Sequence, residues 1–338
     1  MKERILSWLK TGVPAVCAVA CLFGSFTLKA AEPLKIAYSD WPGWIAWDIA
    51  IHKGFFKKHD VKVEMKWMDY GPSMDAFAAG QVDGLCVAQV DALVLNATGA
   101  RNIMILLNDY SNGNDKLVAR PGINSVKDLK GRNVAAQVGV VSNLLLIQAL
   151  KANGMTVKDV KLINTPNDQA PQVLASGSIA AVACWQPASG QALKAVPGSK
   201  AIFTSRNVPG LIYDALVVSP KSLISRRDDW RKVMLAWEDV VNYMRDPANK
   251  EEMLKILGAR VSLSPKEYEP LLDGTRILSL EDGAKAYVKT DKLSSIYGSM
   301  KVADEFFLQN EIYKKSVDIN RTVDGSLTRS LVKAPAKK

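Results

Sequence analysis

The feature that most constrains this chain is its alternation of strand-length apolar runs with helix-length patterns. Residues 34–39 form a short apolar-rich run, and 43–53 then carry Trp44, Trp47, Ala50 and Ile51 at helical spacing. Residues 61–68 alternate as a strand, with Val61, Val63, Met65 and Trp67 on one face. A small-residue helix at 73–79, closed by Gly80, leads to a buried strand at 82–87, a helix at 91–98 and another buried strand at 103–107. Strands separated in this way by helices predict a parallel sheet, because parallel neighbours need a long crossover.

The alternation restarts near Pro121. A short helix at 126–131 with a glycine stop is followed by strands at 132–138, 160–164 and 179–185 and helices at 142–152, 168–175 and 186–195. A strand at 213–219 comes next, and beyond Leu223 the pattern is mostly helical. Trp230, Val233, Met234, Trp237, Val240 and Val241 mark one apolar helix face. The 338 residues, 48% apolar and 23% charged, are enough for two units that each bury a core.

The first thirty residues read differently. Lys2, Arg4 and Lys10 precede an apolar run from about Val13 to Leu28, and small residues follow at Ala30-Ala31. That is the pattern of a secretory signal peptide over 1–30; the run is shorter than the ~20 residues a membrane span needs and contains Pro14. Lipid anchoring at Cys21 is the alternative, with the leading large aliphatic residue of a lipobox missing. Removing this segment leaves Cys86 and Cys184, both in strand-like apolar runs and expected as buried free thiols. With His52 and His59 as the sole histidines, no His/Cys metal site can be assembled, and no cofactor motif is present. The net charge is +10, of which the signal segment carries +3 (Lys2, Arg4, Lys10 and Lys29 against Glu3). The rest is scattered apart from a basic tail at 331–338, with no Lys/Arg stripe interleaved with aromatics, which argues against nucleic-acid binding.

Several short segments occur in a telling order. Gly54-Phe55-Phe56 lies a helix after the first strand, Gly80-Gln81-Val82-Asp83 enters the third, and Asp128-Leu129-Lys130-Gly131 opens the second unit. Ala175-Ser176-Gly177-Ser178-Ile179 is followed by Trp185-Gln186-Pro187. Together, from about Leu34 to Tyr297, they resemble the periplasmic binding proteins of the nitrate, sulfonate, taurine and thiamine-pyrimidine type. The resemblance implies an α/β protein with the type II two-lobe fold, each lobe a doubly wound sheet with flanking helices. It implies a discontinuous first lobe (31–118 and 215–330), a second lobe (119–214), and passages near Ala119 and 211–214. It also implies a monomeric subunit of an ABC importer, in the periplasm, that closes on a small solute and signals occupancy to membrane permease subunits.

Ligands of open α/β sheets gather outside the carboxyl ends of the strands. By this reading Asp40, Trp41 and Trp44 follow the first strand, Asp69 the second, Asp91 the third, and Asp109 and Tyr110 the fourth. The second lobe offers Ser142, Trp185 and Gln186. Carboxylates among aromatic faces suit a small organic cation, through charge-assisted hydrogen bonds and cation–π contacts. The competing reading makes Asp69 and Asp91 helix N-caps, Trp41, Trp44 and Trp185 core, and Tyr213 and Asp214 hinge.

Sulfonate binders of this type place a Gly followed directly by Ser or Thr at the second lobe's first helix; here the run is Gly139-Val140-Val141-Ser142. The Ser39-Asp40-Trp41-Pro42-Gly43-Trp44 loop instead resembles a subgroup associated with urea-carboxylase and guanidine metabolism, which implies guanidinium or a related amide or amine. The alternatives are an anion (aliphatic sulfonate, taurine or nitrate), a thiamine-pyrimidine precursor, or a sensor that reports to a membrane receptor. An enzyme of the thiamine-pyrimidine synthase type is disfavoured, since its Cys-rich iron motif is missing.

Overall fold

The computed structural model describes residues 32–332; the expected signal peptide with Cys21, and residues 333–338 of the tail, lie outside them. No helix among the described residues is long and apolar enough to cross a membrane. Eleven strands are described: β1 (Leu34–Tyr38), β2 (Val63–Trp67), β3 (Gly84–Ala88), β4 (Ile103–Ser111), β5 (Lys116–Ala119), β6 (Asn133–Ala136), β7 (Lys161–Asn164), β8 (Ala181–Cys184), β9 (Lys200–Thr204), β10 (Tyr213–Val218) and β11 (Thr275–Ile277). They build a six-stranded sheet in the order β11-β4-β10-β3-β1-β2 and a five-stranded sheet in the order β7-β6-β8-β5-β9. The chain passes from the first sheet to the second between Ser111 and Lys116, a few residues before Ala119, and returns between Thr204 and Tyr213.

The sheets are mixed, which corrects the expectation of parallel pairing. In the first, β1 pairs in parallel with β2 and β3, but β10 runs antiparallel to both of its neighbours, β3 and β4. In the second, β6 pairs in parallel with β7 and β8, while β5 is antiparallel to β8 and β9. The reason lies in where the chain crosses. β4 ends at the edge where the crossing begins, so β5 must start at the corresponding edge of the second sheet and run away from it. β9 ends at that same edge, and β10 enters the first sheet under the same constraint. Sequence alternation alone missed β5 and β9, whose runs are only four and five residues long.

The core of the first sheet is built around tryptophan. The helix Arg227–Arg245 buries Trp230 and Trp237 completely, as its apolar spacing predicts. The Trp47 and Trp237 rings lie 4.8 Å apart, and the Trp237 indole donates to the Leu278 carbonyl at 2.9 Å. Gly84 is required under Trp230, since a Cβ there would come within 2.9 Å of the ring. The helix expected over 43–53 is two short ones, Pro42–Ile45 and Trp47–His52. Asp48 in the second accepts both arms of the Arg260 guanidinium, at 2.8 and 2.6 Å, and the Tyr38 hydroxyl at 3.0 Å. This clamp ties the N-terminal helices to the helix Lys250–Arg260. Cys86 and Cys184 are buried free thiols, and burial raises the pKa of each.

Candidate ligand-binding site

The strand directions converge on one place. β3 ends at Ala88 and β8 at Cys184, each followed at once by a wall residue or helix. The two antiparallel strands begin at the same edges, and each brings an aspartate: Asp214 on β10, paired with Ala88 and Asp109, and Asp115 just before β5, whose first residue pairs with Cys184. Between the two sheets lies a cavity of about 20 Å³, lined by Asp115, Asp214, Trp41, Trp44, Tyr70 and Trp185, with Ala88, Val141 and Ile212. One water needs ~10–15 Å³, so the space as it stands holds one or two waters, and an organic solute enters only if the walls move apart.

Aromatic rings form the walls. Trp44 stacks on Tyr70 (centroids 5.3 Å, planes 22° apart), Trp41 lies 6.4 Å from Trp44, and Trp185 meets Tyr70 edge-on at 5.7 Å. Two further aspartates hold these rings. The Trp41 indole donates to Asp109 at 2.9 Å, and the Tyr70 hydroxyl donates to Asp91 at 2.6 Å while accepting from the Ala88 amide at 3.2 Å. Gly43 makes room for the first contact: a Cβ there would fall 1.9 Å from the Asp109 carboxylate.

The four aspartates are nearly inaccessible, and each keeps a carboxyl oxygen with no hydrogen-bond partner. None has a Lys, Arg or His within salt-bridge distance among the described residues, and no basic side chain lines the cavity. Lys116 follows Asp115 in sequence but directs its ammonium to the Asn114 carbonyl at 3.4 Å. The electrostatic consequence follows directly. Burial pushes Asp91 up to about 7 against the Tyr70 hydrogen bond, and burial pushes Asp115 up to about 6. Asp109 and Asp214 face each other across the β4–β10 register; burial raises both, and the Asp109 charge raises Asp214 further.

Of the residues expected from sequence, the structure brings Trp41, Trp44 and Trp185 to the cavity itself and Asp91 and Asp109 to its walls. The others lie elsewhere. Asp40 and Asp69 line a larger cleft of about 450 Å³ on the other side of Tyr70 and Trp185, which line both spaces, together with Asp168 and Gln137. Burial pushes Asp40 up to about 6 there, with Asp69 and Asp168 adding to the shift. Asp69 occupies the N-cap position of the helix Tyr70–Ala78 without a side-chain cap bond. Tyr110 points away and packs on Tyr213 at 5.8 Å: β4 runs to Ser111 rather than ending near Leu107, so Asp109 and Tyr110 project from opposite faces. Ser142 both donates to and accepts from the Gln137 backbone, at 3.3 and 3.1 Å, which uses its hydroxyl to close the 137–142 turn. Gln186 accepts from the Gly190 amide at 3.2 Å. Sequence reasoning put Tyr70 at the end of the second strand without counting it among the site residues, missed Asp115 and assigned Asp214 to the hinge; the available signal was a lone carboxylate entering an apolar strand, Tyr213-Asp214-Ala215-Leu216.

Two α/β units joined by two passages, with a cavity between their sheets, define the two-lobed fold of the periplasmic binding proteins. The chain belongs to the NMT1-like family, whose model matches residues 29–258. A Brucella abortus chain named as a binding protein is 24% identical over 297 residues, covering 87% of this chain and 91% of its own. An ABC transporter periplasmic binding protein of Brachyspira hyodysenteriae is 23% identical over 351 residues, covering 93% and 96%. The periplasmic aliphatic sulphonate binding protein of Escherichia coli shares the fold with a TM-score of 0.72 at 20% identity, over 89% of this chain and all of that one.

Proposed function

We propose that this chain is the extracytoplasmic solute-binding subunit of an ABC importer and that its ligand is a small organic cation, with guanidinium as the simplest candidate. The importer role draws on the family, on the fold and on the name of the Brachyspira relative. The charge of the ligand rests on one observation: Asp115, in the passage just before β5, and Asp214, near the start of β10, face an aromatic cavity lined by no cationic side chain. A cation there meets both carboxylates at once and is flanked by indole and phenol faces, Trp41, Trp44 and Tyr70 from the first lobe and Trp185 from the second. It neutralises groups whose burial is otherwise unfavourable. Contact with both lobes stabilises the closed state, which is the form a permease would read.

A sulfonate or nitrate reading has the support of the Escherichia coli structure's name, but an anion would enter a cavity already lined by carboxylates. The test is a thermal-shift and calorimetric screen of guanidinium, methylammonium and urea against taurine, nitrate and alkanesulfonates. A true ligand at 100 times its Kd stabilises by about 2.7 kcal/mol. Stabilisation by guanidinium and not by the anions is expected. Stabilisation confined to the anions overturns the cation reading.

A further inference from the structure

Five of the seven described indoles, all but Trp67 and Trp185, divide by what their N–H groups meet. Those of Trp41, Trp230 and Trp237 donate to Asp109, Ser222 and Leu278. The Trp47 N–H is also buried without a partner, but its ring packs between Phe56 and Trp237 in the core and does not line the cavity. The Trp44 N–H is buried in a residue only 3% exposed, has no acceptor in the fold, and belongs to a ring that lines the cavity. Buried donors are paired in the great majority of cases, so a lone one beside a ligand cavity calls for an explanation.

The unmatched groups around the cavity are thus of two kinds. Carboxylate oxygens on Asp115 and Asp214 want donors, and the Trp44 N–H wants an acceptor. Bare guanidinium, which carries only donors, satisfies the first kind and leaves the second.

Building on the cation reading, we infer that the ligand carries a hydrogen-bond acceptor beside its cationic N–H groups, received by the Trp44 indole. The class is a guanidinium or amidinium bearing a carbonyl or hydroxyl oxygen. Trp44 then acts in two ways, as an aromatic wall through its face and as the acceptor-reading group through its edge. A site of this kind discriminates sharply, because a ligand lacking the acceptor leaves a buried donor unpaired.

Calorimetry on the purified protein tests this with three cations: guanidinium, carbamoylguanidinium, and an alkylguanidinium of the same heavy-atom count. The carbonyl compound should bind about five- to tenfold more tightly than its alkyl counterpart, the effect of one neutral hydrogen bond. In Trp44→Phe, which keeps a ring against Tyr70 but removes the donor, that ratio should fall to about one. An unchanged ratio in Trp44→Phe, or equal binding of the two compounds by the native protein, overturns the acceptor and leaves the cation reading standing. Failure of all three cations to bind overturns both.

Discussion

Asp48 and Asp214 are both aspartates buried in the first lobe, yet they sit in opposite electrostatic circumstances. Asp48 is 1% exposed and accepts a bidentate guanidinium and a phenol, so its charge is fully met within the fold. Asp214 is 3% exposed and meets Asp109, another carboxylate, along with Asp115 and Asp91 at longer range. The first arrangement secures the fold, whereas the second destabilises it until something positive arrives. Burial alone therefore does not separate a structural carboxylate from a binding one; the chemistry of its partners does.

The contrast can be broken from either side. Asp48→Ala leaves the Tyr38 hydroxyl and the one-third exposed Arg260 guanidinium without their partner, and a loss of about 1–3 kcal/mol is expected in urea denaturation, with guanidinium affinity kept in the folded fraction. Asp214→Asn should do the reverse. Guanidinium affinity falls by about 2–5 kcal/mol, or roughly thirtyfold and more. The unliganded protein melts no lower than the native one, because a repulsive pair becomes an amide–carboxylate hydrogen bond. A variant that binds normally and melts lower would reverse the roles assigned to the two regions.

Acidity sharpens the same contrast. The cavity carboxyls have pKa values raised on folding, Asp91 to about 7 and Asp115 to about 6, so between their unfolded values near 4 and these folded values the native state holds more protons. Their contribution to stability is thus present at low pH and is lost as pH rises through about 4 to 7. Cation binding requires the deprotonated forms, so affinity moves the opposite way. It should rise from pH 5 to pH 8 by up to about tenfold per pH unit for each proton displaced. A pH-independent Kd would remove Asp115 and Asp91 from the site. The smallest effect is expected at the wall: Trp185→Ala should weaken binding by about 0.5–2 kcal/mol, the range of one cation–π face.

Much of this was legible in the sequence and some was not, for identifiable reasons. The two-unit α/β alternation and the buried face of Arg227–Arg245 follow from periodicity, because long apolar patterns persist whatever the tertiary context. The loop Trp41-Pro42-Gly43-Trp44 declared itself by composition, and Gly43 proves to be there for the Asp109 carboxylate. The direction of a strand is not written in its own residues, however. β5 was too short to be read as a strand and β10 read as an ordinary apolar run, so the aspartates that open them were missed or assigned to the hinge. Asp40 and Asp69 were placed at strand ends correctly, but which of two adjoining spaces they face depends on where Tyr70 and Trp185 meet, a contact between side chains 115 residues apart.

The position of β10 also bears on how the molecule comes into being. β3 and β4 are not neighbours; β10 lies between them and holds both. A growing chain that has passed Thr204 but not reached Tyr213 therefore has every strand of the five-stranded sheet but only two disconnected pieces of the six-stranded one. The later segment should reach its native form first and the earlier one last, once residues 213–218 arrive to close the gap. A chain truncated before Tyr213 is accordingly expected to protect its inserted half against proteolysis and leave its beginning open to attack.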